Sequence, residues 1–227
     1  MSLKQFVFSA AMMFAVSAFA QQTGPAADAN EKDVPTQAKQ LELAGQLVRY
    51  GYQTKSALSL VQALQIYKSL NVTEATDGST KQTQGTEVAT GLTKTDYVSF
   101  DEAKLIADAT KFADGNKALL ALIKDAEKST RGRVGGPIRR YDRVNGNSTD
   151  TWTIRFRGGE PAYVVVSGDG DTDLDLYVYD ENGNLITSDT DGTDDCVVSF
   201  YPRWTGTFYI RIKNLGSVYN RYVLATN

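Results

Sequence analysis

Gly168-Asp169-Gly170-Asp171-Thr172-Asp173-Leu174-Asp175-Leu176-Tyr177-Val178-Tyr179-Asp180 alternates, through its second half, between side chains that suit water and side chains that avoid it. A period of two belongs to extended backbone, where successive side chains point to opposite faces, so Leu174 and Leu176 enter a core while the residues between them face out. Glu181-Asn182-Gly183-Asn184 follows as a tight hairpin, with Asn-Gly expected to take positive φ at both central positions. Runs of the same kind, rich in Val, Ile, Tyr, Phe and Thr between turn clusters, recur at residues 152–156, 163–166, 197–201, 207–212 and 222–224. About 90 residues with six or more short strands and no intervening helix close a core most simply as an antiparallel β-sandwich, jelly-roll-like in outline.

Upstream the period changes to that of a helix. Leu41, Ala44, Leu47 and Val48, then after an expected break at Gly51 Ala57, Leu60, Val61, Leu64, Tyr67 and Leu70, fall at helical spacing and predict an antiparallel pair. Ser99 and Glu102 form a capping box for a third helix, Asp114-Gly115-Asn116 breaks it, and Leu119 to Ala126 carry a fourth. The fold class is therefore α+β, a small helical bundle followed by a β-sandwich. Residues 21–35 read as a flexible leader, 36–133 as the helical domain with a long exposed loop at 71–98, and 134–227 as the sandwich, the boundary falling in Arg131-Gly132-Arg133-Val134-Gly135-Gly136-Pro137. Lys4, the apolar run from Phe6 to Phe19 and the Ala18-Phe19-Ala20 ending read as a secretory signal peptide over residues 1–20, which directs the mature chain to the periplasm or the medium. The run is too short to span a bilayer.

Composition narrows the chemistry. The 227 residues contain no histidine, which removes Ser-His-Asp and Cys-His sites and His-ligated zinc; the single Cys196 provides neither a disulfide nor a thiolate cluster. With no basic neighbour Cys196 reads as a small buried hydrophobe. A net charge of -3 leaves no basic footprint for nucleic acid.

The acidic residues are the strongest chemical signal. No Lys or Arg lies between Gly158 and Pro202, so the ten carboxylates from Asp169 to Asp195 lack a local cation. Calcium takes six to eight oxygens, and Asp171, Asp173 and Asp175 on one strand face, with Asp191, Asp194 and Asp195 from the following loop, are its candidate ligands. The run is not an EF-hand, since Leu174 stands where glycine is needed and Asp180 where a bidentate Glu is needed. The plainer reading is a solvated edge whose charges prevent sheet-to-sheet association. Trp152, Tyr163, Tyr177, Tyr179, Tyr201, Trp204, Tyr209, Tyr219 and Tyr222 make this half aromatic-rich. Most are expected in the core; Trp204, in a turn, is the candidate for stacking on a sugar or peptide, or else for capping one end of the sandwich.

Residues from about 137 to the end resemble the bacterial pre-peptidase C-terminal domain, through the Gly168 to Asp180 run, the Asn182-Gly183 turn and Thr205-Gly206-Thr207-Phe208-Tyr209-Ile210-Arg211-Ile212. The resemblance implies a jelly-roll-like sandwich appended to secreted proteins, commonly peptidases, where it assists secretion or substrate engagement; related modules in clostridial collagenases bind calcium and collagen. The calcium inference transfers to Asp171, Asp173 and Asp175 alone. The upstream region has no histidine and too few residues for a peptidase, so proteolysis does not carry over. The expectation is an exported, non-enzymatic accessory protein that engages an extracellular protein or polysaccharide. Its rival is a glycosidase-type hydrolase working through paired carboxylates.

Overall fold

The computed structural model describes residues 24–29, 34–76, 78–85, 101–128 and 136–227. The expected signal peptide, Ser99 and the expected boundary at Val134 lie outside these residues. In chain order the elements are β1 (Ala27–Ala29), α1 (Thr36–Thr54), α2 (Ala57–Leu70), β2 (Thr73–Glu74), β3 (Thr80–Gln84), α3 (Glu102–Phe112), α4 (Lys117–Lys128), β4 (Ile138–Val144), β5 (Thr149–Phe156), β6 (Ala162–Ser167), β7 (Leu174–Asp180), β8 (Leu185–Asp189), β9 (Asp195–Pro202), β10 (Gly206–Asn214) and β11 (Asn220–Thr226). Two sheets form, ordered β1-β9-β6-β11-β4-β2 and β3-β5-β10-β7-β8, with every pairing antiparallel except β2 to β4.

The core between the sheets is built by alternation. Leu174, Leu176 and Val178 of β7 meet Phe208, Ile210 and Ile212 of β10, Trp152, Ile154 and Phe156 of β5, and Val164, Val166, Phe200 and Leu224 from the opposite sheet. Phe156, Phe200 and Phe208 pack at centroid separations of 5.1 to 5.8 Å. Residues of β6 and β11 that point the other way are buried too. Tyr163, Val165, Val223 and Ala225 share a second core with Leu41, Ala44, Val48, Leu60, Leu64 and Tyr67 of α1 and α2. The order of layers is therefore helices, first sheet, second sheet. Ala162-Tyr163-Val164-Val165-Val166-Ser167 is buried at every position, as a strand covered on both faces must be.

Several local expectations change. Gly51 does not break the first helix; it lies within α1, and a Cβ there would sit 2.5 Å from Leu60 Cδ2, so glycine permits the close approach of α1 to α2. The helix ends at Lys55, whose left-handed φ of 53° precedes the Ser56 cap of α2. Asp101, accepting from the Lys104 amide at 2.8 Å, caps α3. In the β7–β8 hairpin only Gly183 has positive φ, and its amide donates to the Asp180 carbonyl, a three-residue geometry in place of the two-residue one.

The expected leader and loop both contribute strands. Ala27–Ala29 pairs with β9, and Ala26 is buried. Within residues 71–98, Thr73–Glu74 pairs with β4 and Thr80–Gln84 with β5, so the interval supplies an edge strand to each sheet. Short polar segments carry little periodicity to read, and only an adjacent edge with unpaired amides makes strands of them.

Candidate functional site

Asp171, Asp173 and Asp175 do not all lie on one strand. β7 begins only at Leu174, so Asp171 and Asp173 precede it; Asp171 is exposed, whereas Asp175 lies buried on the outer face of the second sheet and accepts from the Tyr177 hydroxyl at 2.9 Å. Asp191 accepts from the Thr193 amide and hydroxyl, holding its own loop. Asp194 and Asp195 are buried at the start of β9, and both accept from the guanidinium of Arg49 on α1. Asp194 also accepts from the Gly170 amide and from Asn220 Nδ2; Asp195 accepts from the Ser167 hydroxyl at 2.7 Å. The cation missing from the local sequence thus arrives from the helical half.

Electrostatics in this region remain unfavourable for charge. Burial raises the Asp173 carboxyl, and Asp175, Asp191 and Asp194 raise it further. Its Oδ1 is buried without a hydrogen-bond partner. Asp195 is raised by burial despite the opposing pull of Arg49. Asp189 is raised chiefly by burial, and so is Glu42 of α1, with Asp195, Asp189 and Asp191 adding repulsion to Glu42. Asp180 goes the other way. Burial pushes it up, but the Asn184 side chain and the amides of Ala26, Asn184 and Asn182 outweigh that and hold it below the ordinary carboxylate range.

This donor set fits calcium poorly. Among the described residues no three acidic, His or Cys side chains converge as metal ligands, and Asp194 and Asp195 already satisfy a bidentate cation and several N–H and O–H donors. Asp173 Oδ1 is left buried without a hydrogen-bond partner. The residues match a guanidinium, whose fork suits carboxylates, better than a hard dication that needs six to eight oxygens.

Trp204 is half-buried against the sandwich core rather than displayed, with Nε1 3.4 Å from Glu181 Oε1. A Cβ on Gly158 would fall 2.4 Å from the Trp204 backbone, so the turn is clamped. Trp204 caps one end of the sandwich. Cys196 is 1% exposed, its thiol donates to the Leu174 carbonyl, and burial drives its ionisation far upward; it is no nucleophile.

The outer face of the second sheet presents a different surface. β10 directs Tyr209, Arg211 and Lys213 outward, and these pair across with Tyr179, Tyr177 and Asp175 of β7 and with Thr153, Thr151 and Thr149 of β5. The Arg211 guanidinium lies 4.4 Å from the centroid of the Tyr179 ring, and the Tyr177 and Tyr179 rings are 6.4 Å apart, inclined by 30°. Three tyrosines expected mainly in the core are thus on the outside. The strict alternation with Phe208, Ile210, Ile212, Leu176 and Val178 was the signal for it.

No family model and no curated protein matches the sequence. Among solved structures the chain is similar to the pre-peptidase C-terminal domain of a collagenase from Bacillus anthracis, the family that residues 137–227 resemble, with 12% identity and a TM-score of 0.34, covering 39% of this chain and 87% of that one. It is also similar to the mitogen from Yersinia pseudotuberculosis, with 17% identity and a TM-score of 0.34 over 41% of this chain and 86% of that one. A third is PliG of Aeromonas hydrophila, a periplasmic inhibitor of g-type lysozyme, with 15% identity and a TM-score of 0.32 over 40% of this chain and 84% of that one.

Proposed function

We propose that this chain is an exported, non-catalytic accessory protein that binds an extracellular polymer on the open face of its second sheet. One observation carries the reading: helices bury the outer face of the first sheet, while the outer face of the second keeps Tyr177, Tyr179 and Tyr209 half-buried and Arg211 and Lys213 exposed. Tyrosines laid on a rigid sheet offer apolar area at low entropic cost, which suits a ligand-binding platform. The N-terminal run of residues 1–20 supports export.

The sequence has no histidine, Cys196 is buried, and the paired acids are committed to Arg49, which supports a binding role over catalysis. A carboxylate-based hydrolase needs two carboxyls across a substrate cleft with one proton free to move; here Asp194 and Asp195 sit side by side under one guanidinium.

Co-sedimentation with purified peptidoglycan sacculi, chitin and cellulose, and retention on beads coated with extracellular protein, test the reading. At least one of these polymers retains the protein, and a Tyr177→Ala/Tyr179→Ala/Tyr209→Ala variant with an unchanged melting temperature is not retained. Retention of that variant equal to wild type overturns the open-face assignment.

A further inference from the structure

We infer that the polymer is an anionic, carboxylate-bearing polysaccharide; this rests on the open-face reading and adds the ligand's chemical class. The argument begins with charge. From residue 134 onward the chain carries 9 basic and 13 acidic residues, a net of -4, yet the outward positions of the second sheet hold Arg155, Arg211 and Lys213 against one acid. That acid, Asp175, is 6% exposed and accepts from the Tyr177 hydroxyl. All three cations are exposed. A platform with cations in excess, on a protein of opposite net charge, is complementary to a negative ligand.

Three chemistries coincide on this platform. Tyr177, Tyr179 and Tyr209 provide ring faces, Thr151 and Thr153 on the neighbouring strand provide hydroxyls, and Arg211 and Lys213 provide cations. A uronate-type sugar brings the complement of each in one repeating unit: an apolar C–H face, hydroxyls and a carboxylate. Arg211 is already ordered by its contact with Tyr179, so its planar fork meets a carboxylate with less entropy to lose.

The test uses the full chain against polygalacturonate and the same polymer after methyl esterification, with polyglutamate as a third probe, at low and high salt. Polygalacturonate binds about tenfold or more tighter than its ester, the difference shrinks with salt, and Arg211→Gln/Lys213→Gln removes most of it. Lys124→Gln on α4 changes nothing. Equal affinity for the acid and the ester, with Tyr179→Ala weakening both, overturns the anionic class and leaves the open face standing. Tighter binding of polyglutamate overturns the sugar. Binding to neither polygalacturonate nor its ester overturns the polysaccharide assignment, and binding that no substitution on this face alters overturns both this inference and the open-face reading.

Discussion

Arg49 on the first helix donates through one guanidinium to Asp194 and Asp195, 145 and 146 positions further along the chain. The contact joins the helical layer to the loop that enters β9. It supplies the counter-charge that the acidic half does not contain, and it stands beside Val48, fully buried in the core between helices and sheet. Packing and ion pairing therefore reinforce one docking geometry.

Arg49→Met is expected to destabilise the protein by about 2–4 kcal/mol, because it leaves two buried carboxylates without their cation. For a chain of this size each kcal/mol lowers the melting temperature by about 2–4 °C. Thermal unfolding with calcium and with chelator should give the same midpoint for wild type. The variant should gain a calcium-dependent rise, since a ligand of the native state stabilises by RT ln(1 + [L]/Kd). A calcium response in wild type would show that Arg49 does not fill the cation's place.

Stability should fall as pH rises through the raised carboxyl values. Glu42, Asp173, Asp189 and Asp195 have raised carboxyls in the folded state, chiefly through burial. A raised native pKa means the folded protein holds the proton more tightly, so the contribution is complete below the unfolded value and is lost as pH rises through the native one. Asp180 is depressed and acts in the opposite sense: its contribution is present above the ordinary carboxylate range and disappears as pH falls through its lowered value. Melting temperatures across pH should therefore pass through a maximum in mild acid. Glu42→Gln and Asp189→Asn should flatten the alkaline decline, and an unchanged profile in both would refute the assignment.

A second buried carboxylate depends on β3. Asp150, with no exposed surface, accepts from Thr83 Oγ1 at 2.6 Å, Lys81 Nζ at 3.2 Å and the Tyr222 hydroxyl at 2.7 Å, and that hydroxyl accepts from Trp152 Nε1. Lys81→Met should cost about 2–4 kcal/mol by stripping the cation from a buried acid. Tyr222→Phe should cost about 1–3 kcal/mol, the penalty for an unsatisfied buried donor and acceptor. Chemical denaturation of both variants measures this; neutral Lys81→Met would mean that β3 is dispensable.

Residues 134–227 alone should not match the full chain in stability. Removal of the helices exposes Tyr163, Val165, Val223 and Ala225, and removal of β1 and β3 opens both sheets at an edge. The fragment is expected to bind a hydrophobic dye and melt well below the full chain. Equal midpoints would show that the two layers are energetically independent. In the full chain, Tyr163→Ala should destabilise by about 3 kcal/mol or more, as expected when a large buried aromatic is truncated.

What the sequence determined by itself was local and periodic. Alternation in 174–179 and 207–212 was enough for strands, helical spacing in residues 41–70 for two helices, and the absence of histidine for the excluded chemistries, because each depends on neighbours within a few positions. Asp180 reads in sequence as a turn residue, and only the fold shows it accepting from Ala26, 154 positions away. Tertiary structure alone decided which short polar segments became edge strands, which strand is buried on both faces, and whose charge answers the acids. Arg49 and Asp194 have no sequence signature as a pair; hydrophobic burial brings α1 onto the first sheet, and only then does Coulomb attraction find a partner within reach.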